Sequence, residues 1–360
     1  MTAPILIMAG GTGGHVFPAL AVARMLQGQN QEIVWLGTRR GIEAELIPRE
    51  GIPLETTRVA GLRGKGLFSW VLAPIKLAVA LIDAISVLRR RRPKAVLGMG
   101  GFASGPGGLA AWLLRKPLII HEQNSVAGLT NRLLAGFARE VLEAFPGSFS
   151  AGVSTRLVGN PVRSDIAAIA DPAERFAGRS GPLRILVLGG SLGAKVLNET
   201  VPRALRLLRP EQRPEVRHQA GKNTIKLAHA AYAEQGMAAT IVPFIEDVAA
   251  AYGWADMVIC RAGALTISEL AAAGLGAILV PYPTAVDDHQ THNAQYLVDA
   301  GAAVLLPQSE LTPEALAAEI DKCIDDRALL ETRAVRAREL ARPNATREVA
   351  DLCLALGGVS

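Results

Sequence analysis

A chain of 360 residues is long enough for two domains, given the usual domain size of about 100–200 residues. Half of its residues are hydrophobic, and 36 glycines among many small aliphatic residues are typical of tightly turned α/β units. Three scattered cysteines, Cys260, Cys323 and Cys353, argue against a disulfide framework or a zinc site and fit a reducing compartment. Because the first predicted strand starts almost at Met1, we expect no signal peptide.

The chain opens with a predicted strand at residues 5–9, a glycine-rich turn at 10–15 and an apolar-faced helix at 16–26. Glycines let the backbone approach a ligand closely, and a helix N-terminus favours anions. Two glycine doublets flank Thr12, a spacing that differs from GxGxxG and from a P-loop, which disfavours an NAD enzyme. His15 closes the turn. It is either a structural hydrogen-bonding residue or, as a neutral imidazole, a general base near pH 7.

Basic residues concentrate between positions 58 and 94, where Asp83 is the only acid. No nucleic-acid-binding motif accompanies them, so we expect no nucleic-acid partner. Residues 75–88 predict an amphipathic crossover helix, and a transmembrane span is rejected because charges near its centre would each cost about 2.5–3.5 kcal/mol. Two interpretations stand for the apolar side chains of residues 67–72: contact with an anionic membrane surface, or packing in a core. These side chains are Leu67, Phe68, Trp70, Val71 and Leu72.

A second glycine-rich turn, residues 100–108, follows a predicted strand at 95–99, and the strand at 118–124 ends in a polar cluster. Both features lie at the carboxyl ends of strands, on the rim where open α/β sheets bind ligands. Within the cluster, His121 and Glu122 are neighbours on a strand and face opposite ways. They are therefore not expected to bind one metal ion together.

The pattern restarts after a predicted linker at residues 159–163. A strand at 184–188 leads into a third glycine-rich turn at 189–194 and a helix at 198–208. This second strand-turn-helix start implies two similar nucleotide-binding-like halves, the strongest indication of fold in the sequence. Further strands are predicted at 216–219, 239–242, 257–260 and 277–281, and a last helix at 332–356, broken near Pro343.

The run from Cys260 to Gly274 combines a buried strand, a turn of small residues and a helix. Thr266 is predicted to cap the helix, and Glu269 lies at capping-box spacing from it, in the first turn. The same carboxylate can instead accept hydrogen bonds from the two vicinal hydroxyls of a ribose. In that case the amides of Ala264 and Leu265 would face a phosphate. An ordinary capped helix is the alternative.

Six segments, taken together and in order, resemble the MurG family of glycosyltransferases, whose members complete the lipid-linked disaccharide precursor of peptidoglycan. The segments are residues 10–18, 98–106, 121–124, 159–163, 189–191 and 261–274. One such motif is weak, but six in the same order over nearly the whole chain are highly specific.

The resemblance implies an α/β protein of the GT-B fold, in which two Rossmann-like parallel-sheet domains face a cleft. Residues 1–162 would bind the acceptor, with a C-terminal helix in 343–360 packing back on them, and residues 163–342 would bind UDP-GlcNAc. The implied reaction is inverting transfer of GlcNAc to the undecaprenyl-linked muramyl-pentapeptide diphosphate, lipid I, which gives lipid II. The protein would sit peripherally at the cytoplasmic face of the cell membrane, on an anionic surface, and no metal or cofactor is expected.

The resemblance also implies a role for particular residues. On the donor side, Ile245 would lie beside the uracil, Glu269 would bond the ribose hydroxyls and Gln290 the sugar hydroxyls. The diphosphate would be held by Ser191 and Arg163 with Ala264, Leu265 and Thr266, and the same donor segment includes Ile267 and Ser268. Thr12, Gly13, Gly14 and Asn124 would form the opposing wall, with His15 as base or diphosphate contact. The chain departs from the common family residues at Phe102, Leu192 and His289.

Two other classes of function remain open at this stage. A nucleotide-sugar epimerase, or another GT-B transferase, would share the fold and differ on the acceptor side. A non-catalytic nucleotide-binding or membrane scaffold is disfavoured because polar groups are predicted on both walls of the cleft.

Overall fold

The computed structural model describes residues 3–58, 73–190, 193–283 and 288–358. The chain forms two compact units. The first, here the N-terminal unit, comprises Met1–Arg163 and Arg342–Ser360, and the second, the C-terminal unit, is Ser164–Ala341.

The N-terminal unit is built on a seven-stranded sheet in which every recorded pairing is parallel. Its spatial order is β3-β2-β1-β4-β5-β6-β7. The strands are β1 (Ile5–Met8), β2 (Ile33–Thr38), β3 (Leu54–Thr57), β4 (Ala95–Gly98), β5 (Leu118–Glu122), β6 (Glu140–Glu143) and β7 (Arg156–Leu157).

Helices cover both faces of this sheet because its central strands are apolar on both sides. Ile5 and Ile7 of β1 belong to one core cluster, and Leu6 and Met8 to another, as expected when successive side chains point to opposite faces. The helices are α1 (Gly13–Gly28), α2 (Glu43–Arg49), α3 (Ala73–Arg91), α4 (Ser104–Leu113), α5 (Leu129–Leu134) and, from the end of the chain, α15 (Ala345–Gly358).

The C-terminal unit has a six-stranded parallel sheet of order β10-β9-β8-β11-β12-β13. Its strands are β8 (Arg184–Leu188), β9 (Glu215–Gln219), β10 (Thr240–Val242), β11 (Met257–Cys260), β12 (Gly276–Leu279) and β13 (Ala303–Leu305). Its helices are α6 (Ser164–Ala167), α7 (Pro172–Phe176), α8 (Lys195–Leu207), α9 (Ile225–Glu234), α10 (Val248–Trp254), α11 (Ala264–Ala273), α12 (His289–Asp299), α13 (Pro313–Asp325) and α14 (Arg327–Glu339), with a short 3₁₀ turn at Pro210–Gln212.

Both sheets follow the same Rossmann-like strand order, in which the first strand of the unit lies between its second and fourth strands. The direction of winding reverses between those two central strands. In the N-terminal unit the reversal lies between β1 and β4, and in the C-terminal unit between β8 and β11. Ligands of open α/β sheets bind at this switch point, beyond the carboxyl ends of the strands. All the glycine-rich turns, and the turn after Cys260, follow these four strands.

The break predicted near Pro343 in the last helical stretch is confirmed. Two separate helices, α14 and α15, are divided by residues 340–344. Pro343 provides the reason: it has no amide proton to continue a helix, and it disfavours helical backbone at the preceding residue. No helix within the described ranges combines the length and apolar character needed to cross a bilayer.

Candidate functional site

The first and second glycine-rich turns of the N-terminal unit are in direct backbone contact. A side chain at Gly101 would overlap the carbonyl oxygen of Gly10, and the backbone of Gly101 has a positive φ of 82° that favours glycine. The hydroxyl of Ser104 ties the second turn to β1, since it donates to the carbonyl oxygens of Met8 at 3.0 Å and Gly100 at 2.7 Å. The turns therefore form one continuous surface at the switch point.

Replacing Gly101 with alanine should separate the two turns. We expect the free energy of unfolding to fall by more than about 1 kcal/mol, because alanine is strained at this φ and its methyl group meets backbone that cannot rotate away. Urea unfolding measures the effect. Gly105→Ala is the matched control: the same methyl group would lie in α4, 3.5 Å from the methyl of Thr130, and should leave stability unchanged or raise it. Equal stability of the two variants would contradict the contact.

A buried carboxylate fixes the backbone of the first glycine-rich turn by hydrogen bonds. Glu43, in α2, has no exposed surface and accepts hydrogen bonds from the amide of Gly11 at 3.0 Å and from the amide and hydroxyl of Thr38 at 2.9 and 2.7 Å. Side chains at Gly10 or Gly41 would overlap this carboxylate. Glu43 was not predicted from the sequence, although the glycines around it indicate a tightly enclosed group.

His15 lies where the two turns meet. It is the third residue of α1, half-buried, and its ring packs on the second turn so closely that a Cβ at Gly100 would come within 2.6 Å of Nδ1. The Nδ1 atom is 2.8 Å from Oε1 of Gln123. Thr12 is the N-cap residue of the same helix, and its carbonyl accepts from the amide of His15 at 3.2 Å. Gly13 and Gly14 form the first helical residues beside it.

The polar cluster at the end of β5 lies next to His15 through Gln123. Its buried member His121 donates from Nε2 to the carbonyl of Gly159 at 2.9 Å, and burial lowers the pKa of His121 to about 4. Gln123 is also buried and bonds both His15 and His121. His121 therefore stays neutral at physiological pH.

Glu122 faces away from His121 and organises the segment that follows β5. One carboxylate oxygen accepts from the amide and side chain of Asn124 at 2.9 and 3.1 Å, and the other from Gly128 and Asn131 at 3.0 and 2.9 Å. The half-buried side chain of Asn124, one of the residues expected on the acceptor wall, is thereby held in a defined orientation.

The third glycine-rich turn follows β8 in the C-terminal unit. The side-chain Nε2 of Gln219 donates to the carbonyls of Gly190 and Pro243, both at 3.0 Å, and a side chain at Gly193 would overlap the hydroxyl of Thr224. The turn is thus tightly fixed at both ends. Ser191, which was expected to contact the diphosphate, and Leu192, where the chain departs from the common family residue, lie outside the described residues.

The predicted capping box at Thr266 and Glu269 is wrong. Helix α11 begins at Ala264, with Gly263 as its N-cap in extended conformation, so Thr266 is the third helical residue and Glu269 lies in the second turn. No side chain bonds the cap, and the first-turn amides of Ala264, Leu265 and Thr266 precede the first intrahelical bond, which Ile267 donates to Gly263. Such amides make a helix N-terminus favourable for an anion.

Glu269 is instead held from the side by a buried tyrosine. The hydroxyl of Tyr252 donates to Oε2 of Glu269 at 3.0 Å, and Glu269 itself is half-buried. Burial raises the pKa of the nearby Cys260 thiol to about 12, with a smaller contribution from Glu269, so this cysteine remains protonated. The hydrogen bond from Tyr252 gives the carboxylate of Glu269 a defined orientation on α11.

Hydrogen bonds connect the first residues of α12, among them Gln290, with the residues that follow β11 and β12. Oε1 of Gln290 accepts from the amide of Tyr282 at 2.9 Å, and Asn293 of the same helix donates to the carbonyl of Ala262 at 3.3 Å. Arg261 bonds the carbonyls of residues 280 and 281 at 3.1 and 3.0 Å and lies over the ring of Tyr282. Arg261 was predicted as part of the motif, without a role of its own. In the structure it fixes the backbone of residues 280 and 281, directly before Tyr282.

The remaining predicted residues lie at the edges of these features. Ile245 is half-buried between β10 and α10, and Ile267 and Ser268 lie within α11. Arg163 is the last residue of the first segment of the N-terminal unit. The structure thus brings Thr12, Gly13, Gly14 and His15 together with the β5 cluster. It also links the turn before α11 to α12, through the bond from Asn293 to Ala262.

Comparison with known proteins identifies the chain's relatives. The family profiles described as the glycosyltransferase family 28 N-terminal and C-terminal domains match residues 5–143 and 184–349. Two proteins called UDP-N-acetylglucosamine–N-acetylmuramyl-(pentapeptide) pyrophosphoryl-undecaprenol N-acetylglucosamine transferase are similar over nearly their whole length. The one from Marinobacter nauticus is 58% identical, covering 97% of this chain and 96% of that protein, and the one from Alkalilimnicola ehrlichii 59%, covering 98% and 99%.

Solved structures agree with this. The crystal structure of Acinetobacter baumannii MurG matches with a TM-score of 0.85 and 44% identity, covering 98% of this chain and 99% of that one. A UDP-N-acetylglucosamine 2-epimerase matches with a TM-score of 0.67 at 12% identity, which indicates a shared fold alone. The two parallel-sheet units have the GT-B fold, and the chain belongs to glycosyltransferase family 28, within the group of the MurG transferases.

Proposed function

We propose that this protein transfers N-acetylglucosamine from UDP-GlcNAc to the undecaprenyl-linked muramyl-pentapeptide diphosphate, lipid I, and so produces lipid II for peptidoglycan synthesis. The observation that carries the proposal is the 58–59% identity, over nearly the full chain, to proteins named for this transfer. The geometry at the two switch points supplies groups suited to each part of the reaction.

The C-terminal unit is the proposed donor-binding part. Glu269 presents an oriented carboxylate to the two hydroxyls of the ribose, and the first-turn amides of α11 face the diphosphate. Ile245 would lie against the uracil and Gln290 against the hydroxyls of the sugar. Ser191 of this unit and Arg163, the residue directly before its first residue, complete the proposed diphosphate contacts. Helix amides and an arginine are the groups that stabilise a phosphate-bearing leaving group as it departs.

The N-terminal unit is the proposed acceptor-binding part, with Thr12, Gly13, Gly14 and Asn124 lining its switch point. His15 is the proposed base. Its Nε2 atom would take the proton from the attacking hydroxyl of the acceptor, and that oxygen would form the new bond to the anomeric carbon of GlcNAc. The bond between that carbon and the diphosphate oxygen of UDP breaks, and its electron pair stays on the diphosphate. Attack from the face opposite the leaving group inverts the anomeric configuration.

The N-terminal unit also carries exposed apolar side chains suited to a membrane surface. Helices α4 and α5 and the residues after them expose a set here named the apolar patch: Trp112, Leu113, Leu129, Leu133 and Phe137. The rings of Trp112 and Phe137 lie 4.9 Å apart, and exposed Arg115, Arg132 and Arg139 lie in the same segments. Apolar side chains among basic residues are typical of binding to anionic lipid. The patch expected from the sequence, residues 67–72, lies outside the described residues.

Because the proposed acceptor is anchored by a polyprenyl lipid, we place the protein peripherally on the cytoplasmic face of the cell membrane. The three cysteines support a reducing compartment, since all are free and buried.

Replacing Leu133 with glutamate should weaken binding to vesicles of phosphatidylglycerol and phosphatidylethanolamine by about tenfold or more. The change removes a leucine side chain that the membrane would bury, a burial worth about 1.5–3 kcal/mol, and adds a charge that the anionic surface repels. Sedimentation with vesicles measures it. Leu207→Glu, at a leucine of the C-terminal unit that is 54% exposed compared with 64% for Leu133, should bind like the wild type. Equal loss in both variants would contradict a membrane role for the apolar patch.

The test of the proposed function is transfer of labelled GlcNAc from UDP-GlcNAc to a short-chain analogue of lipid I. We expect a labelled disaccharide product whose formation requires both substrates. Binding of UDP-GlcNAc without product would leave the donor assignment standing and refute the acceptor. Conversion of UDP-GlcNAc to a second nucleotide sugar in the absence of acceptor would indicate an epimerase, and no binding at all would refute the proposal.

A further inference from the structure

A continuous chain of hydrogen bonds runs from His15 into the interior of the N-terminal unit. Nδ1 of His15 is 2.8 Å from Oε1 of Gln123, and Nε2 of Gln123 is 3.1 Å from Nδ1 of His121. Nε2 of His121 is in turn 2.9 Å from the carbonyl oxygen of Gly159. Both residues behind His15 are buried, so water does not compete for these bonds.

The chemistry of the buried end fixes the direction of the chain. The carbonyl of Gly159 can only accept, so Nε2 of His121 carries a proton. A neutral imidazole has one ring proton, and the lowered pKa of His121, about 4, keeps it neutral at physiological pH. Its Nδ1 is therefore an acceptor, and the group of Gln123 that faces it must be the amide nitrogen.

A second acceptor confirms the orientation of the Gln123 amide independently. The same nitrogen donates to the backbone carbonyl of His121 at 3.1 Å, and a carbonyl cannot bond to an amide oxygen. With its nitrogen fixed in this way, Gln123 presents its oxygen to His15. A carboxamide oxygen can only accept, so Nδ1 of His15 must donate.

Which ring nitrogen of a neutral histidine carries the proton is set by the hydrogen bond that the other nitrogen makes. We propose that Gln123, oriented by His121, holds the proton of His15 on Nδ1 and thereby keeps Nε2 free as the base, so that both act as positioning residues. This inference rests on the proposed function, in which Nε2 receives the proton of the acceptor hydroxyl. Among the described residues, only Gln123 hydrogen bonds the imidazole of His15.

The orienting group is an uncharged amide, and the neighbouring carboxylate is engaged elsewhere. Glu122 uses both oxygens for Asn124, Gly128 and Asn131. Gln123 thus sets the tautomer of His15 without adding a negative charge against its ring, and that ring packs closely against the backbone of Gly100.

The test is the variant Gln123→Met, which keeps the length of the side chain and removes both the donor and the acceptor. In protein labelled with ¹⁵N-histidine and held at about pH 8, where an ordinary histidine is neutral, two-bond ¹H–¹⁵N spectra report which ring nitrogen is protonated. The His15 signals are those lost in His15→Gln. We expect Nδ1–H in the wild type and a substantial Nε2–H population in the variant. Its kcat should fall about 10- to 100-fold, with the KM for UDP-GlcNAc little changed.

Ser148→Ala is the control for a merely structural effect. Ser148 is buried in the same unit, and its hydroxyl bonds the carbonyl of Phe145 at 2.7 Å, so its loss removes a buried hydrogen bond away from His15. The His15 spectrum and kcat should match the wild type. Nε2–H in wild-type His15, or an unchanged tautomer in Gln123→Met, would overturn the positioning role. Because the spectra need no substrate, absence of transfer by the wild type would count separately, against the proposed function.

Discussion

Replacing His15 with glutamine should lower kcat for GlcNAc transfer by about 10²–10⁴-fold and leave the KM for UDP-GlcNAc within a few fold. General base catalysis typically contributes a factor of this size, and glutamine cannot take up the proton of the acceptor hydroxyl. Glutamine retains polarity and much of the volume between the two glycine-rich turns, so the backbone contact there should persist. Steady-state kinetics with the short-chain lipid I analogue provides the measurement.

The control is a histidine away from both switch points. His229→Gln changes an exposed residue of α9 and should leave kcat unchanged. In a His15→Ala variant, added imidazole should restore part of the activity, because the lost side chain leaves space against Gly100. Wild-type turnover in His15→Gln would exclude His15 as the base and leave it as a structural or diphosphate contact.

Replacing Glu269 with alanine should raise the KM for UDP-GlcNAc about 10- to 100-fold, with a smaller effect on kcat. A factor of this size corresponds to a loss of about 1.5–3 kcal/mol, the net value of a hydrogen bond to a charged group. The effect falls on KM because the ribose hydroxyls lie away from the bonds that break and form. Tyr252→Phe is the intermediate case. It removes the hydroxyl that orients the carboxylate at 3.0 Å but keeps the charge, so the KM should rise by a smaller factor.

A donor that lacks the ribose 2′-hydroxyl identifies the partner of Glu269 directly. The wild type should bind 2′-deoxy-UDP-GlcNAc more weakly than UDP-GlcNAc, whereas Glu269→Ala should discriminate much less between the two. Such loss of discrimination is the coupling that a double-mutant cycle detects. If Glu269→Ala weakens both donors equally and still distinguishes them, the carboxylate acts on the packing of α11 and not on the ribose.

The sequence predicted the central strands of both sheets because these strands are apolar runs followed by glycine-rich turns. It did not predict β3, β6, β7 or β13. These strands are short, and β3, β6 and β7 carry charged side chains that interrupt the apolar pattern. Glu140 and Glu143 bracket β6, and β7 has only two residues. The apolar pattern could not predict the order of the strands in the sheets either, because that order depends on pairing between distant segments. Yet it is strand order that puts the four turns at the two switch points.

Some residues of the site could be predicted from the sequence, and the partners that orient them could not. His15, Glu269 and Gln290 stand in recognisable motifs, whereas their partners Gln123, Tyr252 and the amide of residue 282 were not assigned to them. No local spacing links His15 to a side chain 108 positions away. The capping prediction failed for a related reason: residue spacing suggested Thr266 as the cap, but the extended backbone of Gly263 starts the helix earlier. Where a helix begins depends on backbone conformation, which spacing does not determine.

The last helix has a consequence for the order in which the protein can be completed during synthesis. In α15, Val349, Ala350 and Cys353 are fully buried in the same core cluster as Ile5 and Trp35. The N-terminal unit is therefore translated before the C-terminal unit but lacks part of its core until α15 has been synthesised. The C-terminal unit is one uninterrupted segment, Ser164–Ala341, and all of it emerges before α15. The unit that begins the chain is the last to be completed, and until then its sheet exposes an apolar face on which chaperones can act.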